Sequence, residues 1–149
     1  LFLFKITLTD QTLSDLNHLY AASDPANMAR ANLPFAEVTG TVEWSEGGSK
    51  RGADKNGWKV FEPRDAHKGD AARAIFYYAV IYDRDVDIDA EPDGWGIGTG
   101  REATLRRWHT SVDPVDAQNR DRNADIQDVQ GNRNPFVDCP GLVDKIDDF

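Results

Sequence analysis

The clearest pattern of apolar and polar positions lies in the middle of the chain. Between residues 69 and 82, Ala72, Ile75, Phe76 and Ala79 recur at the three- and four-residue spacing of one helix face. The apolar stripe is wide, as in helices that other elements cover on most sides. The pattern predicts a central buried helix over 69–82.

A β-rich part precedes this helix. Residues 35–61 are rich in Gly, Thr, Val and Trp, and they contain the turn signals Gly47-Gly48 and Asn56-Gly57. These features predict strands or hairpins joined by an irregular loop. Residues 1–9 alternate apolar and polar side chains after the first pair, which favours a short edge strand over a helix.

Shorter helices are predicted on both sides of the β-rich part and the central helix. Ser23-Asp24-Pro25 supplies a cap and a first-turn proline for a helix over 25–31, which must end before Pro34. Leu105 and Trp108 are spaced to face inward from a helix over 102–109. A short terminal helix is expected after Pro140.

One further helix is predicted before the terminal one. Asp113 can cap it, Pro114 suits its first turn, and Gly131 is placed to end it. Ile126 and Val129 are expected to face the core from this helix. Together the elements predict a mixed α+β fold in a single domain over 1–149, a length that one hydrophobic core can serve.

The composition is that of an ordinary folded chain, with 40% hydrophobic and 29% charged residues. No apolar run approaches the roughly 20 residues that span a bilayer, so we expect no membrane insertion. Cys139 is the only cysteine, so no internal disulfide can form and cysteine usage does not report the compartment.

A formal charge of −9 argues against a nucleic-acid binder if only the total is considered. An enzyme that must release a polyanionic product needs only a local positive cleft, however. Eight cations scattered along the chain could supply one: Lys68, Arg73, Arg101, Arg106, Arg107, Arg120, Arg122 and Arg133. Taken singly, each is better explained as part of a solvated surface.

Three motifs together identify a family. They are Gln130-Gly131-Asn132-Arg133-Asn134-Pro135-Phe136-Val137-Asp138, Asp113-Pro114-Val115-Asp116, and Phe61-Glu62-Pro63 leading into Lys68-Gly69-Asp70-Ala71-Ala72-Arg73. In content and order they resemble the bacterial endonuclease I family of secreted or periplasmic nucleases. The resemblance runs from about residue 15 to 143. It implies a ββα-metal (His-Me finger) fold and cleavage of DNA, and in some members RNA, with little sequence preference.

The resemblance also implies a metal site. The family pattern Asn-x-x-Arg-x-Asn matches Asn27-Met28-Ala29-Arg30-Ala31-Asn32, which assigns metal binding to Asn27 with Arg30 and Asn32 in support. The expected ion is Mg²⁺, with Ca²⁺ or Mn²⁺ as alternatives. Mg²⁺ keeps several of its waters, so one or two protein oxygens suffice. The alternative is that Asn27 is only a polar residue of a short helix.

The general base is the point at which this chain departs from the family. Members carry a Glu-His pair upstream of the segment that corresponds to 15–19, and the sequence contains no such pair. We expect that an upstream segment with the pair is either missing from the sequence or truly lost. His18 is the candidate catalytic residue that remains, and a histidine that only hydrogen-bonds the hairpin is the alternative.

The same region shows further differences from the family. Asn17 replaces histidine, Ala21 replaces proline and Ala36 replaces glycine. The apolar spacing over 12–22 is helical, but the resemblance places 15–19 on a strand of the nuclease hairpin, and we follow the resemblance.

Four cations are candidates for binding nucleic acid: Arg30, Lys68, Arg73 and Arg133. Arginine forks and amide side chains suit phosphate oxygens. Two of the four have structural alternatives. Arg73 could pair with a carboxylate at the entry of the central helix, and the loop around Arg133 could lock the helix before it.

The alternating acids from Asp83 to Asp89 lack the turn glycine and closing glutamate of an EF-hand, so a solvated acidic loop is expected, with weak calcium binding as the alternative. Two hypotheses follow. The first is a metal-dependent, sequence-nonspecific endonuclease that is secreted or periplasmic, with nucleic acid as its partner and no protein partner implied. The second is a catalytically inactive remnant of the fold that binds nucleic acid or protein.

Overall fold

The computed structural model describes residues 14–82, 98–147 and 149. Within them the chain is a mixed α+β structure, as the sequence predicts. The helices are α1 (Asp24–Arg30), α2 (Lys68–Tyr82), α3 (Gly98–Arg107), α4 (Ala117–Gln130) and α5 (Pro135–Asp138), and the strands are β1 (Val42–Glu46), β2 (Ser49–Ala53) and β3 (Lys59–Glu62). Single turns of 3₁₀ helix at Leu16–His18 and Asp65–His67, a longer one at Pro140–Lys145, and a π-helical turn at Trp108–Val112 complete the list.

The three strands form an antiparallel sheet in the order β1-β2-β3. Glu46 pairs with Ser49 across a two-residue turn at Gly47-Gly48, whose φ angles of 57° and 87° are those that glycine adopts without strain. The second turn, near Gly57, also has a positive φ of 83°. Both turn predictions are confirmed.

Helix α2 is the centre of the structure. Every residue from Ala72 to Ala79 is buried, and Phe76 and Tyr77 are almost completely inaccessible to solvent. Phe76 packs on Phe136 and Phe149 at ring-centroid distances of 5.5 and 4.4 Å. The prediction of a central buried helix is confirmed, and its bounds differ by one residue from those predicted.

Asp113 does not cap the helix that follows it, contrary to the prediction. Its carboxylate accepts hydrogen bonds from the backbone N–H of Gly69 (2.9 Å) and Asp70 (3.3 Å), so it caps the start of α2. Asp116 caps α4 instead, in a reciprocal capping box with Asn119. The positive ends of α2 and α4 are thereby held close together.

Two other predictions are wrong. Residues 16–18 form a turn of 3₁₀ helix and not the hairpin strand that the resemblance places there. The physical reason is local capping, since the Asp15 side chain accepts from the Asn17 N–H at 2.9 Å. Val129 is 76% exposed, whereas Ile126 on the same helix is buried as predicted.

The remaining helices agree with the sequence in place and differ mainly in length. Helix α1 begins at Asp24, with Ser23 as its cap. Leu105 and Trp108 are buried, and Gly131 ends α4 with a left-handed φ of 83°. The edge strand predicted over 1–9 and the acidic stretch from Asp83 to Asp89 lie outside the described residues.

Gly69 leaves room for the chain that crosses the start of α2. A Cβ added there would lie 1.9 Å from the backbone oxygen of Asp113. We expect Gly69→Ala to lower the free energy of unfolding by about 2 kcal/mol, because backbone must move to relieve the overlap. Gly141→Ala is the control, since a Cβ at Gly141 meets nothing within 4 Å. Urea denaturation of both variants measures the difference, and equal midpoints would contradict this packing.

Ala31 ends α1 with φ 45° and ψ −118°, a conformation that L side chains rarely adopt. We expect Ala31→Gly to raise the free energy of unfolding by about 1 kcal/mol through relief of this strain. Ala124→Gly, at an exposed position inside α4, should instead lower it by about 1 kcal/mol. Thermal denaturation should therefore shift in opposite directions for the two variants, and a lower melting temperature for Ala31→Gly would refute the strain.

Candidate active site

The segment that leads into α1 is built around the buried carboxylate of Asp15. One oxygen accepts hydrogen bonds from the hydroxyls of Tyr77 (2.6 Å) and Tyr82 (2.7 Å) on α2. The other accepts from the side-chain amide of Gln130 (2.7 Å) and the backbone N–H of Asn17 (2.9 Å). All the donors are neutral, so the carboxylate remains the single charge of this network.

These hydrogen bonds set the acidity of the groups. Burial alone would raise the pKa of Asp15, but the bonds from Tyr77, the Asn17 backbone, Gln130 and Tyr82 outweigh it and hold this pKa below its usual value. Burial, followed by donation to Asp15, raises the pKa of both tyrosines well above the ordinary value. Asp15 is therefore ionised at neutral pH and both hydroxyls keep their protons.

The motif around residue 131 completes the same network. Gln130 accepts from the Leu16 N–H at 2.9 Å, and the Asn17 amide donates to Asn132 at 3.1 Å. Asn132 in turn donates to the Tyr77 hydroxyl at 2.9 Å. The motif residues thus fix the position of the segment that carries His18.

Arg122, named from the sequence only as one of eight cations for a positive cleft, provides a second attachment of this segment. Its guanidinium donates to the carbonyl oxygens of Leu16 (2.6 Å) and Leu19 (2.8 Å) and lies 4.1 Å from the ring centroid of Tyr20. Its distance along the chain from these partners left no local signal.

His18 lies between Leu16 and Leu19, the two residues that Arg122 binds, and 3% of its surface is exposed. Its ring makes edge-on contacts with Tyr78 at 5.4 Å and Tyr82 at 6.0 Å between centroids. The ring also lines a cavity of about 230 Å³. The cavity gives a ligand a route to His18, and the catalytic role assigned to it stays a prediction.

Helix α1 carries the predicted metal ligand. Asn27 is half-buried, and Arg30 lies one turn further on the same face. Arg30 is 2% exposed, and its guanidinium lies 5.0 Å from the centroid of the Phe35 ring. Burial lowers the pKa of Arg30 to about 10, which still leaves it charged at neutral pH.

Asn27 fits one coordination position of a hard cation, since an amide oxygen is a ligand of the kind that Mg²⁺ prefers and the residue is only half-buried. In the parts of the chain that the structure describes, no group of three His, Cys, Asp or Glu side chains is arranged to hold a metal ion.

Two of the cations predicted to bind nucleic acid are buried and paired. Lys68 donates to Glu62 (2.7 Å) and Asp65 (2.8 Å), and it lies over the Trp108 ring. Arg73 is fully buried and is described with its partners below. Burial on this scale argues for a structural role, and a contact of either residue with nucleic acid stays an untested prediction.

The partners of Arg73 are all at the starts of α2 and α4. Its guanidinium donates to Asp70 (2.9 Å), to the backbone oxygen of Asp113 (2.9 Å) and to the amide oxygen of Asn119 (3.1 Å). Burial and the neighbouring Asp70 raise the pKa of Asp113, whereas His67 and Arg73 outweigh burial and lower the pKa of Asp70. Asp70 is thus the main counter-charge of the arginine.

Arg133 is partly exposed and makes a forked ion pair. Its Nε and Nη2 donate to the two oxygens of Asp138 at 2.7 and 2.6 Å, and Nη1 donates to Gln127 at 2.8 Å. These bonds join the end of α4 to α5, which is the locking role considered from the sequence. Binding of nucleic acid by Arg133 would require it to exchange these partners and stays a prediction.

The cavity beside His18 lies between the segment before α1, the sheet and α2. Tyr20, Ala26, Trp44 and Phe61 line it together with His18. Ala26 is the residue before Asn27, so the cavity adjoins the helix of the predicted metal ligand.

No helix in the described part of the chain is long and apolar enough to cross a membrane.

The mixed α+β structure holds the motifs around residues 27, 68 and 131, which resemble those of a family of nucleases. The sequence matches the family Endonuclease I over residues 5–141. The chain belongs to the endonuclease I family.

Characterised relatives agree with this assignment. The chain is 38% identical over 141 residues to the extracellular ribonuclease of Bacillus subtilis (strain 168) and 36% identical over 140 residues to that of Bacillus amyloliquefaciens. It is 27% identical over 129 residues to the extracellular deoxyribonuclease of Aeromonas hydrophila. These matches cover 87–89% of this chain and 46–51% of the relatives, so the chain spans about half their length.

The Asp15 network makes a prediction for stability and its dependence on pH. Asp15→Asn should lower the free energy of unfolding at pH 7 by about 2 kcal/mol, because an amide cannot accept from all four donors. The folded-state pKa lies below the ordinary value of 3.8, so this stabilisation is present above about pH 4 and is lost as pH falls through the folded pKa. The difference in the free energy of unfolding between wild type and Asp15→Asn should therefore become smaller in acid.

Asp125→Asn is the control for this substitution, because Asp125 is an exposed aspartate of α4. Urea unfolding between pH 7 and pH 3 measures both variants. A gap for Asp15→Asn that stays constant over this range would show that the carboxylate charge is not what the four donors stabilise.

Proposed function

We propose that this chain is the nuclease part of a secreted enzyme that hydrolyses phosphodiester bonds of nucleic acids without sequence specificity. The observation that carries the proposal is the similarity, over nearly the whole chain, to three proteins named extracellular nucleases. Membership of the endonuclease I family supports the same reaction. Secretion is inferred from the same names, and a periplasmic location is the alternative.

DNA and RNA are both proposed as substrates. Of the three relatives, two are named ribonucleases and one a deoxyribonuclease, and the ribonucleases are the more similar pair. A site that holds phosphates and does not read bases would accept either polymer, because the backbone phosphate is common to both. We therefore infer that the enzyme accepts both ribose and deoxyribose in its substrate. Its binding to either polymer should weaken at higher salt, because salt screens the phosphate contacts.

The proposed cofactor is Mg²⁺, with Ca²⁺ or Mn²⁺ as alternatives, and Asn27 is its proposed protein ligand. When bound, the cation supplies positive charge to the phosphate and the leaving oxygen. Arg30, on the same face of α1, is proposed to add a fixed positive charge beside that position. Arg30 is 2% exposed, so solvent screens its charge less and its electrostatic effect extends further.

His18 is the proposed base among the described residues. It lines the cavity next to α1, and the Asp15 and Arg122 hydrogen bonds fix the backbone around it. A water held in that cavity could pass a proton to the ring. The competing reading is an inactive remnant that binds nucleic acid without cleaving it, and the burial of His18 is the observation in its favour.

Nicking of supercoiled plasmid with Mg²⁺ tests the proposal. We expect cleavage that EDTA abolishes, and we expect Asn27→Ala to reduce the rate by about 100-fold, because a metal ligand contributes several kcal/mol at the transition state. Gln118→Ala, at an exposed amide of α4, is the control and should leave the rate unchanged.

The outcomes separate the two readings. Cleavage that survives EDTA would refute the dependence on a metal ion. Equal rates for Asn27→Ala and Gln118→Ala would refute Asn27 as its ligand. Retarded migration of plasmid with no cleavage by any form of the chain would support the remnant instead.

A further inference from the structure

The cavity beside His18 has an aromatic side that the proposed hydrolysis does not use. Phe35, Trp44 and Phe61 line it, and Trp44 stacks on Phe61 with 27° between the ring planes. At about 230 Å³ the cavity is smaller than the roughly 300–1,000 Å³ of sites for drug-sized ligands. Its size and lining suit one flat, aromatic group.

A positive charge lies at the edge of the same cavity. Arg64 and His67 both line it, and the Arg64 Nη2 lies 2.6 Å from the His67 Nε2. A guanidinium can only donate, so Nε2 is the acceptor and the ring proton is on Nδ1. His67 Nδ1 in turn donates to Asp70 at 3.3 Å. Asp70 therefore orients His67, and His67 holds Arg64 at the cavity.

Arg64 differs from most neighbouring cations because no carboxylate among the described residues occupies its guanidinium. Lys50, Lys59 and Lys68 each lie within 4 Å of a carboxylate. Arg64 is exposed and has no such ion pair with the described residues, although Glu46 also lines the cavity. Its remaining N–H groups can thus bind an anion from solution, and a guanidinium fork matches the oxygens of a phosphate.

The cavity also adjoins the proposed cleavage site. Ser23 and Ala26 of the α1 region line it, and Asn27 follows directly. A nucleic-acid strand at Asn27 would therefore bring its next nucleotide near the aromatic wall. Bases stack on aromatic side chains whatever their sequence, so such a contact is compatible with a nonspecific enzyme.

We propose that the cavity is a subsite for a nucleotide flanking the cleaved bond, in which the aromatic wall takes the base and Arg64, held by His67, binds its phosphate. This inference rests on the proposed function, because it assumes a polynucleotide substrate. It makes Arg64 a substrate-binding residue and His67 a positioning residue.

Binding of 5′-AMP in EDTA tests the subsite without any cleavage. Titrations followed by the indole and imidazole NMR signals should show Trp44 and His67 shifting together. We expect Arg64→Gln to weaken binding about tenfold, the effect of losing one charge-assisted pair, and Arg64→Lys to retain part of the affinity. Lys55→Gln, an exposed cation of the β2–β3 loop, is the control and should bind like wild type.

Cleavage of short oligonucleotides provides the second measurement. Arg64→Gln should raise KM by about tenfold and change kcat little, because the contact is made in the bound substrate and the transition state alike. Circular dichroism checks that each variant is folded.

The outcomes distinguish failure of the subsite from failure of the proposed function. Wild-type cleavage together with unchanged AMP affinity and KM in Arg64→Gln would overturn the subsite alone. AMP binding that depends on Arg64, in a chain that cleaves nothing, would support the cavity as a nucleotide-binding site and refute both the nuclease and the flanking position. Inorganic phosphate that binds as tightly as AMP, without shifting Trp44, would overturn the role of the aromatic wall.

Discussion

The structure depends first on the buried guanidinium of Arg73. This charge lies inside the protein and is compensated by Asp70, the Asp113 carbonyl and Asn119, which come from three separate stretches of the chain. Removal of the Asp70 carboxylate would leave a buried charge without its ion-pair partner, which typically costs about 3–5 kcal/mol. The arginine therefore requires the starts of α2 and α4 to meet, and Gly69 allows them to approach closely enough.

From that junction the fold reaches the candidate site through a second polar centre. Helix α2 begins at the arginine cluster and presents Tyr77 and Tyr82 to Asp15 near its other end. The segment that bears His18 is thus held in place by the same helix that carries Arg73. Because this segment has almost no regular secondary structure of its own, side chains from α2 and α4 determine where it lies.

The elements predicted correctly from sequence are those whose signals are local. The spacing of Ala72, Phe76 and Ala79, and the glycine pair of the β1–β2 turn, each act within a few residues of themselves. Asp113 shows the limit of such signals. Its residue type correctly indicates a helix N-terminus, but α2, which it caps, precedes it by more than forty positions, and nothing local distinguishes the two helices.

The site was less accessible to sequence reasoning for the same reason. The resemblance led to Asn27, but the place of the 3₁₀ turn at Leu16–His18 in the fold is set by bonds to Gln130 and Arg122, more than a hundred residues downstream. Cations that suggest nucleic-acid binding by type, such as Lys68 and Arg133, have carboxylate partners that only the fold brings near. Arg64 attracts no attention in the sequence, yet it is exposed at the cavity.

The motif that identifies the family has a consequence for how its members are recognised. Asn132 bonds to Tyr77 and Asn17 at one centre, and Asn134 donates to the Arg73 carbonyl oxygen at the other while capping α5. One short loop therefore ties both polar centres together. The signature therefore reports that the scaffold can be assembled. It says nothing about which residues stand at the catalytic positions.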